Sequence, residues 1–144
     1  VYIFLLFACF LWPAQNGYGK DFDTNLKKVK AEINRDNVKE AIKILGKIKV
    51  ENEDQQERID LLFGDIYLKI NKPGKAIEFY EKVFATSDED IESLGELGLS
   101  EANLRQGKLE ESIEHANKSL AINANNIKGK IILAIALVAN SFAS

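Results

Sequence analysis

Residues 57–90 read ERIDLLFGDIYLKINKPGKAIEFYEKVFATSDED, and four side chains in this stretch decide the fold: Gly64, Tyr67, Ala76 and Tyr80. A small residue on one helix and another on the next let two backbones approach, while the aromatic rings fill the volume that remains. A generic amphipathic helix pair would not need small residues at this register.

Working outward, the phrase KAIEFYEKVF at 75–84 has weaker echoes in KEAIKILGKI at 39–48 and LEESIEHANKSL at 109–120. The small residues Ala41, Ala76 and Ser112 lie 35 and 36 residues apart, close to the ~34-residue period of a two-helix repeat. Upstream, Phe22, Leu26, Val29 and Ile33 keep helical spacing. Arg35-Asp36-Asn37 supplies a turn, and Val38, Ala41, Ile42 and Leu45 begin a second helix. Downstream, Leu99-Ser100-Glu101-Ala102 leads through Arg105-Gln106-Gly107-Lys108 into Leu109-Glu110-Glu111-Ser112, with Gly107 able to take positive φ at a helix end. The last stretch, IKGKIILAIALVANSFAS, places Ala134 and Leu137 where the second unit has Gly64 and Tyr67.

This order of small and aromatic positions resembles the tetratricopeptide repeat. The resemblance gives repeats at 22–54, 57–90 and 93–126 and a partial one at 127–144, with the first lacking the family aromatics. It implies an all-α fold, a right-handed α-solenoid of antiparallel helix hairpins. The concave face of such an array is lined by first helices and takes peptides or partner helices. Carried onto this chain, the groove positions are Arg58, Leu61, Leu62, Asp65, Leu68 and Lys69, then Leu94, Leu97, Gly98, Glu101, Leu104 and Arg105. They describe an apolar floor flanked by both charge signs, suited to an amphipathic helix or an extended segment. The plainer reading of the same charges is solvated i,i+4 pairing, Asp65 with Lys69 and Glu101 with Arg105. Family members that grip a C-terminal carboxylate use Lys, Asn and Arg here; this chain has mostly Leu, Gly and acids, which argues against that specialisation.

Composition excludes several classes. With 46% hydrophobic and 28% charged residues in 144, the chain has the makings of a packed domain. A net charge of −3, from 19 Lys and Arg against 22 Asp and Glu, gives no footprint for nucleic acid. No Gly-Lys-Ser/Thr follows Gly95 or Gly98, so no phosphate loop is expected. The acidic runs Glu51-Asn52-Glu53-Asp54 and Ser87-Asp88-Glu89-Asp90 lack the spacing of a calcium loop and suit helix N-termini instead. The lone histidine, His115, reads as a solvated helix-surface residue. Neither catalysis, a cofactor, a metal nor a small-molecule substrate is expected; the expected partner is a protein or peptide.

The first twelve residues, VYIFLLFACFLW, are wholly apolar and precede Pro13, Ala14, Gly17 and Gly19, the pattern of an export signal with cleavage expected after Gly19. Twelve residues fall short of the roughly 20 that span a bilayer. The expected location is the periplasm or envelope, and the missing Met and basic leader predict that the true start lies upstream. Cys9 sits in the signal core, where Leu6-Phe7-Ala8-Cys9 fits a lipidation box poorly; the mature domain then has no thiol chemistry. Two other roles fit the sequence. The apolar run Ile131 to Ala139, uncomfortable at a solvent-facing end, is expected to be repeat core or an interface for self-association, or the array is the recruiting part of a longer protein.

Overall fold

The computed structural model describes residues 18–85 and 88–143. Residues 1–17, which hold Cys9 and most of the expected export segment, lie outside the described residues. Among those described there are seven α-helices and no strand. They are α1 (Tyr18–Asn34), α2 (Val38–Leu45), α3 (Glu53–Lys69), α4 (Pro73–Tyr80), α5 (Glu89–Arg105), α6 (Leu109–Ile122) and α7 (Ile127–Ala143), with a 3-10 turn over Glu81–Ala85 after α4. The pairs α1/α2, α3/α4 and α5/α6 pack as hairpins, and α7 packs on α5 and α6. The first helices of the second and third hairpins begin at Glu53 and Glu89, four residues before the sequence-derived repeat boundaries.

The ends of these helices follow from local chemistry. Asn52 accepts from the Gln55 amide at 2.9 Å and starts α3. Asp88 accepts from the Asp90 and Ile91 amides at 2.9 and 3.3 Å and starts α5. Both side chains satisfy N–H groups that the first turn leaves orphaned. All three hairpins turn through one left-handed residue: Asp36 (φ 60°), Asn71 (φ 55°) and Gly107 (φ 74°). In each, the amide that follows reaches back five residues, Asn37 to Glu32, Lys72 to Tyr67 and Lys108 to Asn103, at 2.9, 2.8 and 3.0 Å. This 6→1 closure stops each helix at the same register, so the repeat period reappears in turn residues of three different types.

Packing confirms why small residues recur. Tyr80 is almost completely buried, with its ring against Gly64 of its own hairpin and Gly98 of the next. A Cβ built on either glycine would fall 2.4 Å from that ring. Tyr80 is therefore a wedge joining two hairpins, seated where no side chain can stand. It belongs to a cluster with Leu61, Leu68, Ala76, Val83, Ile91, Leu99 and Ala102. The upstream cluster gathers Phe22, Leu26, Val29, Ile33, Ala41 and Leu45 with Ile59, Leu62 and Ile66 of α3. Tyr67 does not enter the core as Tyr80 does: it stacks on Phe79 at 5.3 Å, as Phe63 does at 5.1 Å.

The third hairpin replaces this apolar seam with a polar one. Ser100 and Ser112 are fully buried, and each hydroxyl donates to the other's carbonyl at 2.8 and 2.9 Å. Ser93 and Ser119 repeat the exchange at 3.2 and 2.9 Å. Serine is as small as the seam requires, and the reciprocal bonds leave no buried hydroxyl unpaired. Between the two serine pairs, His115 Nδ1 lies 2.6 Å from a carboxylate oxygen of buried Glu96. This corrects the reading of His115 as a solvated surface histidine, because α6 turns it inward onto α5.

Candidate functional site

The first helices of the hairpins line a cleft of about 550 Å³, within the range of pre-formed ligand sites. α1 contributes Asp23, Leu26, Lys27 and Lys30. α3 contributes Arg58, Leu61, Leu62 and Asp65, and Lys128 closes the far end from the first turn of α7. The start of α5 supplies Asp88, Asp90, Ile91 and Leu94, with Leu97 and Gly98 deeper in. Of the residues expected to line a groove, Arg58, Leu61, Leu62, Asp65, Leu94, Leu97 and Gly98 are brought together here. Leu68, Lys69, Glu101, Leu104 and Arg105 are not among its lining residues.

Burial separates wall from contact surface. Leu61, Leu62 and Leu97 are buried between helices and shape the cleft from behind, whereas Leu94 is 45% exposed and is the large apolar side chain open to the cleft. Leu68 is core, bonded through its carbonyl to Arg105 Nη1 at 2.8 Å. Glu101 pairs with Arg105 at 2.6 Å, as i,i+4 spacing suggests, and also with Lys128 at 2.7 Å. Burial raises the Glu101 carboxyl, but these two cations outweigh it and hold it below the usual range.

The expected Asp65–Lys69 pair does not form. Lys69 turns away to Asp36 of the first hairpin at 2.8 Å. Asp65 instead accepts the Tyr80 hydroxyl at 2.8 Å. The reason is geometric: Tyr80 must point its ring between Gly64 and Gly98, and its hydroxyl emerges beside Asp65. Asp65 itself is exposed at the cleft, with the packed helices crowding one side of its carboxyl. That desolvation raises it above the ordinary carboxylate range against the opposing pull of the Tyr80 hydrogen bond, Lys128 and Lys30. A carboxyl held above its unfolded value contributes most below about pH 3.8 and loses that contribution as pH rises through the raised value. Asp65→Asn, whose amide oxygen still accepts from Tyr80, is therefore expected to raise Tm at pH 7. The gain over the parent should shrink toward pH 3.5 in melts followed by circular dichroism.

Sequence patterns alone did not point to Asp23, Lys27, Lys30 or Lys128. The Arg58–Asp23 pair at 2.9 Å ties α3 to α1, while Lys27 and Lys30 reach the cleft from a hairpin without the family aromatics. No group of three or more His, Cys, Asp or Glu residues among those described could hold a metal ion. None of the described helices is long and apolar enough to cross a membrane.

Residues 61–89 match the family model of the tetratricopeptide repeat, from the buried Leu61 to the first residue of α5, a stretch that holds Tyr80 and Gly64 but not Gly98. No curated protein and no solved structure matches the chain.

Proposed function

Starting from a chain that carries a tetratricopeptide repeat at residues 61–89, we propose that it is a protein-interaction scaffold whose cleft receives an extended segment or helix of a partner. The observation that carries this reading is the cleft's lining, drawn from α1, α3, the start of α5 and the start of α7. In this reading the helices stack as a right-handed solenoid with the cleft on its concave face. Lys27 and Lys30 on one wall suit acidic groups of the partner, Asp88 and Asp90 suit basic ones, and Leu94 offers the apolar contact. Asp65 fits the same role, as an exposed carboxyl held at the cleft by the Tyr80 hydroxyl.

The apolar segment at 1–12 followed by Pro13, Ala14, Gly17 and Gly19 supports export to the periplasm or envelope as the setting.

Leu94→Glu with Lys30→Glu changes only exposed cleft positions and is expected to weaken capture of partners by at least about tenfold, the scale of losing a central interface contact. Lys43→Glu, at an exposed position of α2 outside the cleft, serves as the control and should leave capture unchanged. Equal recovery of partners by all three proteins in a quantitative pulldown, with matching circular dichroism spectra, would show that this cleft is not the docking site.

A further inference from the structure

Among the described residues that line the cleft, two cations have no carboxylate partner: Lys27 and Lys30, exposed on α1 one helical turn apart. Lys30 is close enough to Asp65 for its charge to act on that carboxyl, yet forms no bridge to it. The other charges are taken. Arg58 is held by Asp23 at 2.9 Å, Lys128 by Glu101 at 2.7 Å, and Asp65 accepts the Tyr80 hydroxyl at 2.8 Å. Asp88 accepts the Asp90 and Ile91 amides. Asp90 stands in the first turn of α5, where the positive end of the helix dipole offsets its charge. What the cleft has left to offer is a pair of cations on α1 and the exposed side chain of Leu94 on α5.

The lining also restricts the partner's backbone. Among its described residues there is no Asn or Gln, the side chains that can donate to and accept from a peptide group at once. Nor is there a strand among the described residues whose edge could pair with an extended chain. An extended segment would leave its own N–H and C=O groups without partners against these walls, whereas a helix brings them already paired. Taking the cleft as the docking site proposed above, we infer that it selects a helix with an acidic edge: two Asp or Glu side chains three or four positions apart, set on Lys27 and Lys30, beside an apolar residue set on Leu94. The spacing matches because side chains one turn apart on either helix stand about 5–6 Å from each other. A chain terminus presents a single carboxylate, whereas the lysine pair takes two, so the acids are side chains.

The test is selection on the full chain from a displayed library of random peptides about four helical turns long, tethered at both ends so that no free terminus is offered. Enriched sequences are expected to carry Asp or Glu pairs three or four positions apart, next to an apolar residue. Made as synthetic peptides, they should bind Lys27→Glu with Lys30→Glu at least about tenfold more weakly than the parent, since two attractions become repulsions. Selection on that variant should return Lys or Arg pairs at the same spacing. Lys27→Gln with Lys30→Gln should return neither, and unchanged circular dichroism would show that both variants keep the fold. Failure to enrich any sequence overturns the inference. Basic, uncharged or non-helical sequences that no longer bind Leu94→Glu also overturn it, while leaving the cleft as the docking site. Peptides that bind Leu94→Glu and both lysine variants as they bind the parent sit elsewhere on the molecule and overturn the cleft as well.

Discussion

Tyr80→Ala is expected to lower the free energy of unfolding by about 3–5 kcal/mol, the scale of truncating a buried aromatic. That is a large part of the roughly 5–15 kcal/mol that holds a typical domain together. The ring is almost wholly buried and contacts both Gly64 and Gly98, so its loss opens a cavity at the joint between two hairpins. It also removes the hydroxyl that Asp65 accepts. Gly98→Ala sharpens the test. Alanine favours a helix interior over glycine by about 0.5–1 kcal/mol, yet its Cβ would fall 2.4 Å from the Tyr80 ring, and the ring cannot retreat without leaving Asp65. Gly98→Ala should therefore destabilise the parent and stabilise the Tyr80→Ala protein, a reversal of sign measurable by urea unfolding in a double-mutant cycle. A loss below about 1 kcal/mol for Tyr80→Ala, or the same sign for Gly98→Ala in both backgrounds, would mean that the hairpins are joined by something other than this wedge.

The half of the wedge that lies on one repeat was legible in the sequence, because Gly64, Ala76 and Tyr80 share a register that local packing enforces; Gly98, its seat on the next hairpin, was read only as a groove position. Gly107 was legible as a turn from glycine's freedom in φ, and Arg35-Asp36-Asn37 from its polar run between two helical patterns, whereas Asn71 takes the same left-handed conformation without either signal having marked it. Of the cleft's charged lining Arg58 and Asp65 were legible, but Asp23, Lys27, Lys30 and Lys128 were not, nor were the ion pairs that tie the first two hairpins together. Asp23 meets Arg58 and Asp36 meets Lys69 across more than thirty residues, and neither pairing leaves a mark in helical spacing. Apolar patterning also fell short where helices are buried nearly all round. α3 and α5 pack on the hairpin before and the helix after, so periodicity does not tell Leu94, which faces the cleft, from Leu97, which is wedged behind it. His115 was misread for a related reason. Its environment is set by the crossing of α5 and α6, where small serines bring the backbones close enough for a histidine on one helix to reach a carboxylate on the other.

That crossing predicts a second large effect. His115→Leu is expected to cost about 1–3 kcal/mol, chiefly because it leaves the Glu96 carboxylate without its ring partner in a buried seam rather than because the pair itself is strongly stabilising. Glu96 is 5% exposed and lies 2.6 Å from His115, between the Ser93–Ser119 and Ser100–Ser112 exchanges. Glu96→Leu together with His115→Leu removes both polar groups, and apolar side chains of similar volume can fill the space. The double variant should recover most of the lost stability, as replacement of a buried pair by packed apolar residues often does. Chemical unfolding of the parent, both singles and the double gives the coupling directly. Additive losses in the double would place Glu96 and His115 in separate environments and reduce their contact to coincidence. Recovery would show that the seam of the third hairpin tolerates polarity only when it is paired, the condition its four serines already meet.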